Sequence, residues 1–196
     1  AQVSHFKTSL SIKASGNHRH EKRRNQGQLH IDHALRAGDD ALLNQTIKYR
    51  KGITNMAKER IMFVCIHNSA RSQMCEAFVK HYASDRFEAH SSGIEAGKLN
   101  PLVVQAMEEI GISMEGHYAK PAQEYIDRNE AFDYVVTVCD ESNAERCPMF
   151  PGKSERMHWG FPDPSTITGS DEEKLEGIRP IRDAIHTRVT DWLASC

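Results

Sequence analysis

Long apolar runs are missing from this chain. The longest, residues 61–66, falls far short of the roughly 18 residues that cross a bilayer, so no membrane span is expected. The first residues lack an apolar h-region followed by a small-residue cleavage site, so no secretory signal is expected either. Cysteine is sparse and odd in number, five in 196 residues, with no regular framework spacing. That argues against a secreted disulfide scaffold and for reduced thiols in the cytoplasm. Aromatic residues are few, at 7%, and no internal repeat is visible. Apolar content is nevertheless ordinary, and a domain of roughly 140 residues can bury a real core.

What is present is unevenly spread. Residues 1–55 carry a net charge of +6 and residues 56–196 a net charge of −8. Two objects are therefore expected: a basic N-terminal extension over 1–55, and a folded domain over 56–196 that begins at Met56. Within the extension, residues 1–30 are polar and rich in Ser, Asn, Gln and His, as in a solvated tail. A weak helix is predicted from Asp32 to Lys48. The histidines at 5, 18, 20, 30 and 33 belong to this tail, where solvation is a simpler role than binding metal or nucleic acid.

From Lys58 the pattern sharpens. Ile61-Met62-Phe63-Val64-Cys65-Ile66 reads as a strand buried on both faces. Ser72 to Tyr82 has helical spacing, and Arg86 to Ser91 reads as a second strand. Asn100 caps a helix that begins at Pro101, runs to Glu109 and stops at Gly111. Tyr134–Val138 is a third strand and Glu155–His158 a fourth. A final helix opens at Ser170 or Asp171, with an interruption expected near Pro180, and ends at Leu193. Alternating strands and helices imply an α/β fold with a doubly wound parallel sheet.

The strongest chemical signal is the segment Cys65-Ile66-His67-Asn68-Ser69-Ala70-Arg71-Ser72. A cysteine ends a buried strand and an arginine opens the next helix, which places the loop at the carboxyl edge of the sheet. A loop entering a helix N-terminus turns backbone N–H groups inward as an anion nest. Arg71 can grip two oxygens of a tetrahedral oxyanion through its planar fork. The same positive surroundings favour the thiolate, the nucleophilic form of Cys65, and Ser72 can hydrogen-bond the sulfur.

Two further groups fall on the same edge. In Trp159-Gly160-Phe161-Pro162-Asp163-Pro164-Ser165 two prolines stiffen the chain around one carboxylate, which suits Asp163 to protonate a leaving oxygen. Trp159 and Phe161 read as packing residues that position it. Cys139 ends the third strand and Cys147-Pro148 follows a polar loop. A hydrolase has no need of this second pair, but a reductase does: one thiol must attack the first sulfur to release a reduced product, and another can carry the disulfide outward. The spacing does not suit a zinc knuckle, so no metal is expected. Cys75 reads as a small buried residue and Cys196 as a frayed terminus.

Taken together, these motifs, with Ser91-Ser92-Gly93-Ile94-Glu95, resemble the thioredoxin-coupled arsenate reductases, which share the low-molecular-weight protein tyrosine phosphatase fold. The resemblance covers residues 60–194. It implies a four-stranded parallel sheet flanked by helices, arsenate as substrate, thioredoxin as electron donor, and no bound cofactor. It also implies that Cys65 attacks arsenate, that Asp163 protonates the departing oxygen, and that Cys139 and then Cys147 take over the disulfide. Some members bind potassium near the loop. Here Asn68, Glu76 and Ser91 match that site, but Lys120 stands where an aspartate would be, so its ammonium is expected to take the cation's place. His67 replaces a frequent loop glycine, so its side chain must point away from the nest. A cytoplasmic monomer is expected. Two rivals stand beside this reading. One is a phosphatase of aryl phosphates, disfavoured because Ser165-Thr166-Ile167 follow the Asp-Pro where that family usually carries aromatics. The other is a non-catalytic oxyanion sensor whose basic extension binds nucleic acid or a partner.

Overall fold

A computed structural model describes residues 57–139 and 148–196. The predicted helix over 32–48, the domain start at Met56 and Cys147 lie outside the described residues. The compact body spans Ala57–Ala194.

Its centre is strand β1, Glu59–Cys65. Ile61, Phe63 and Cys65 face one core layer, while Met62 and Val64 face another. Burial on both sides is why this segment reads as an unbroken apolar run rather than an alternating one. Strand β2, Phe87–Gly93, pairs parallel to β1 on one side, and β3, Tyr134–Thr137, on the other. Strand β4, Glu155–His158, lies parallel to β3 at the edge, which gives the order β2-β1-β3-β4. The sheet is thus a four-stranded parallel one flanked by helices.

Helix α1, Arg71–Ala83, packs Met74, Ala77 and Phe78 onto the first layer. Helix α2, Pro101–Glu108, joins that layer through Val103, Ala106 and Met107. Asn100 caps α2 by accepting from the N–H of Leu102, and Gly111 takes the left-handed φ of 76° that ends the turn. On the opposite face lies α3, Ala122–Asp127, which packs Ala122 and Tyr125 against Met62 and Val64.

Helix α4 runs from Asp171 to Ser195 with Pro180 inside it, so the interruption expected near Pro180 does not occur. The reason lies in packing. Ile178, Ile181 and Ile185 on either side of the proline are buried in the core, while Pro180 and Glu176 face solvent. The Glu176 carbonyl, which a proline four residues on cannot satisfy, is therefore left on the wet side of the helix. At its start Ser170 and Glu173 form a reciprocal capping box, the Ser170 N–H donating to Glu173 (2.7 Å) and the Glu173 N–H to Ser170 Oγ (3.3 Å).

Among the described residues, no helix is long and apolar enough to cross a membrane.

Candidate active site

Strand order reverses between β1 and β3, and in open α/β sheets such a switch point opens a crevice at the carboxyl ends of the strands. Cys65 is the last residue of β1. Val64 pairs with Thr137, and the N–H of Val138 donates to the carbonyl of Val64 at 2.9 Å, so Cys139 follows β3 onto the same edge. Both cysteines are buried, 3% and 2% exposed, and neither is in a disulfide.

The loop from Ile66 to Ala70 is tied down from outside. The carbonyls of Cys65, Ile66, His67 and Ser69 accept from the N–H groups of Ile94, Glu95, Gly97 and Asn100, at 3.1, 2.8, 2.9 and 2.9 Å. In a trans peptide the N–H points opposite to the carbonyl, so fixing these carbonyls outward turns the next residues' N–H groups inward. The Asn68 N–H shows the result: it donates to Cys65 Sγ at 3.1 Å. Gly93 makes the close approach possible, because a Cβ there would stand 2.9 Å from Asn68 N, His67 C and Ile66 O. His67 is exposed, with its Cβ toward Gly97, so its side chain does point away from the nest.

Asn68 adopts a left-handed φ of 50° and is fully buried. Its Nδ2 donates to Ser72 Oγ and Ser91 Oγ, both at 2.8 Å. Its Oδ1 accepts from Gln73 Nε2 at 2.9 Å and from the Lys120 N–H at 2.8 Å. Ser72 Oγ, which accepts from Asn68, lies 2.9 Å from Cys65 Sγ with its own hydrogen available for that contact. The Asn68 N–H and the Ser72 hydroxyl thus both converge on the sulfur.

Gln73 and His117 were not singled out by the sequence, yet both hold the loop. Gln73 Nε2 reaches Asn68 and the Tyr118 carbonyl, which leaves Gln73 Oε1 to face His117 Nδ1 at 2.8 Å. His117 must donate from Nδ1. Burial lowers its proton affinity, which outweighs the attraction of Glu76 and is reinforced by Lys80 and Lys120. No local pattern marks these two residues, because they meet across 44 positions of chain.

Beneath the loop, Glu76 accepts from Ser91 and pairs with Lys80 and with Lys120, whose Nζ is 3.3 Å away. Lys120 also lies over the Tyr118 ring, 4.9 Å from its centre. Burial pushes the Glu76 carboxyl up, but the Lys120 charge, the Lys80 contact and the Ser91 hydroxyl together hold it below its ordinary value. A carboxyl that binds its proton less tightly folded than unfolded stabilises the fold above that value, 4.5, and loses the contribution as pH falls through it and below. Urea midpoints should therefore fall more steeply for the wild type than for Glu76→Gln between about pH 5 and 3. Parallel curves would contradict this assignment.

The arginine and the acid meet. Arg71, 4% exposed, donates from Nη1 to the Phe161 carbonyl (3.0 Å) and from Nη2 to Asp163 Oδ2 (2.7 Å). The acid loop is anchored by the Trp159 N–H on the Thr137 carbonyl, at 2.8 Å, and by burial of Trp159 and Phe161. Asp163 then caps a short 3₁₀ turn over Pro164–Thr166. Cys75, fully buried on α1, has its thiol pushed well up by burial first and by the nearby Cys65 charge second, which keeps it protonated and unreactive. Among the described residues, no His, Cys, Asp and Glu side chains gather to hold a metal ion.

Residues 60–196 match the sequence profile of the family described as low molecular weight phosphotyrosine protein phosphatase. An arsenate reductase from Shouchella clausii is 42% identical over 134 residues, spanning 68% of this chain and 94% of its own length. The arsenate reductase of Bacillus subtilis is 40% identical over 137 residues, spanning 70% and 96%. Among solved structures, an arsenate reductase in an oxidized state aligns with a TM-score of 0.59 at 28% identity, covering 69% of this chain and 97% of that one. Another, in a phosphate-binding state, aligns with a TM-score of 0.55 at 28% identity over the same shares.

Proposed function

The chain belongs to the low molecular weight phosphotyrosine protein phosphatase family, and with arsenate reductases among its 40–43% identical relatives we propose that it reduces arsenate to arsenite by a relay of three cysteines. The observation that carries the reading is the pair of buried thiols, Cys65 at the end of β1 and Cys139 two residues past β3, flanking the point where strand order reverses among the described strands. A phosphatase needs the first of these and has no use for the second.

The chemistry proceeds in three transfers. The Cys65 thiolate attacks dihydrogen arsenate held by the loop amides and Arg71. A sulfur–arsenic bond forms, an arsenic–oxygen bond breaks, and Asp163 supplies the proton that lets the oxygen leave as water; arsenic stays pentavalent. The Cys139 thiolate then attacks Cys65 Sγ. The sulfur–arsenic electron pair goes to arsenic, which leaves as trivalent arsenite and takes up protons from solvent, and a Cys65–Cys139 disulfide remains. Finally the Cys147 thiolate attacks Cys139, freeing Cys65 and giving a Cys139–Cys147 disulfide that thioredoxin reduces by dithiol exchange. The protein needs no bound cofactor in this scheme, and a cytoplasmic setting would supply the reductant.

Arsenate turnover with thioredoxin, thioredoxin reductase and NADPH tests the proposal. Steady, arsenate-dependent NADPH consumption with matching arsenite is expected. Aryl phosphate hydrolysis that survives loss of Cys139 and Cys147, with no arsenite formed, would instead make the chain a phosphatase. Because the Lys120 ammonium already neutralises Glu76, exchanging potassium for sodium at constant ionic strength should leave the arsenite rate unchanged. Clear stimulation by potassium would contradict this.

A further inference from the structure

Asp163 is held asymmetrically. Oδ2 takes the Arg71 guanidinium at 2.7 Å. Oδ1 takes two donors from one residue, the N–H and the hydroxyl of Ser165, both at 2.9 Å. The N–H contact is the ordinary cap of the 3₁₀ turn, available to any residue but proline at position 165. The hydroxyl contact is not: only a serine or threonine can make it. Thr166 adds its own hydroxyl to the Asp163 carbonyl at 2.8 Å, so the turn closes on the acid from below.

We propose that Ser165 is a positioning residue for the acid step, fixing Oδ1 so that Oδ2 alone carries and delivers the proton. This rests on the reading of Asp163 as the acid in the proposed reaction. Both Oδ1 sites are filled by donors that belong to the acid's own turn and that no substrate displaces. The Oδ2 site is filled by Arg71, the one charged group paired with this carboxylate among the described residues, whose other task is to grip the oxyanion. When arsenate draws the guanidinium toward itself, Oδ2 loses its donor and becomes the only carboxylate oxygen open to a proton. That proton then goes to the departing oxygen as the sulfur–arsenic bond forms. Water leaves, and Asp163 is a carboxylate again, ready to re-pair with Arg71; solvent supplies the next proton. Without the hydroxyl, the carboxylate can rotate and present either oxygen.

The test compares wild type, Ser165→Ala, Ser165→Thr, Asp163→Asn and the Ser165→Ala/Asp163→Asn double variant. Single-turnover arsenite formation is measured for each, with phosphate as the probe of oxyanion affinity. Ser165→Ala is expected to slow the turnover about 3- to 10-fold, with phosphate affinity within about two-fold of wild type. Ser165→Thr restores the rate. Asp163→Asn slows it about 10²- to 10⁴-fold, and adding Ser165→Ala costs nothing more, since a hydroxyl that acts through the acid has nothing left to act on. A Ser165→Ala rate equal to wild type, a further loss on the Asp163→Asn background, or failure of the threonine to rescue would each overturn the proposal. Phenyl phosphate hydrolysis by the same proteins separates the two readings. Wild type that hydrolyses the ester and makes no arsenite refutes arsenate reduction, while Ser165 is judged on the ester by the same comparisons. A chain that processes neither refutes both.

Discussion

Cys65→Ser should form no arsenite, a loss of about 10⁴-fold or more, while still binding phosphate. The serine oxygen can occupy the place of Sγ and accept from the Asn68 N–H and from Ser72, which meet the sulfur at 3.1 and 2.9 Å. The loop is therefore expected to keep its shape, and its inward amides and Arg71 their affinity for a tetrahedral anion. What disappears is the atom that, in the proposed reaction, bonds arsenic and then surrenders the electron pair. An alcohol at this position is a poor nucleophile, and it cannot end as half of a disulfide. Arsenite assay and phosphate titration on one preparation separate the two effects. Arsenite production by Cys65→Ser at more than background would remove Cys65 from the reaction.

Cys147→Ser should complete one round and stop. The reason is burial: a disulfide joining Cys65 and Cys139 would link two residues that are 3% and 2% exposed. A protein dithiol must reach a sulfur in line to attack it, and neither of these is within reach from outside. In the proposed relay a third thiol moves the disulfide away from the crevice and so makes a second round possible. Mixed with arsenate, the variant should yield about one arsenite per chain, and its steady rate with thioredoxin should fall by about 100-fold or more. Unimpaired steady turnover would mean that Cys147 is outside the relay.

The parts of this arrangement that could be read from sequence are those encoded over a few neighbouring residues. Strand β1 was legible because a strand buried on both faces has no polar alternation to hide it. Cys65, Arg71 and Asp163 stood out locally because Cys65 ends an apolar strand, Arg71 opens the helix that follows its loop, and Asp163 sits between two prolines, while Asn68 is a residue type that tolerates the left-handed backbone the loop requires. Helix α3 escaped notice because its six residues bury only Ala122 and Tyr125, too short a stretch for a period to emerge. Pro180 misled in the other direction: a local rule predicted a break, and core contacts on both sides of the proline override it. Gln73 and His117 were invisible for a different reason. Each is an unremarkable polar residue, and only the folded chain brings them together behind Asn68. Ser165 was likewise visible only as what is not aromatic, with its contact to Asp163 appearing once the turn was built.

The most direct test of the sulfur relay needs no reductant. Pre-reduced wild-type protein is mixed with excess arsenate, acid-quenched with alkylation of free thiols, and digested for peptide mapping alongside an arsenite count. One arsenite per chain and a disulfide joining Cys139 to Cys147, with Cys65 alkylated as a free thiol, is the predicted outcome. Arsenite formed while Cys139 remains a free thiol, or no arsenite with every cysteine reduced, would contradict it.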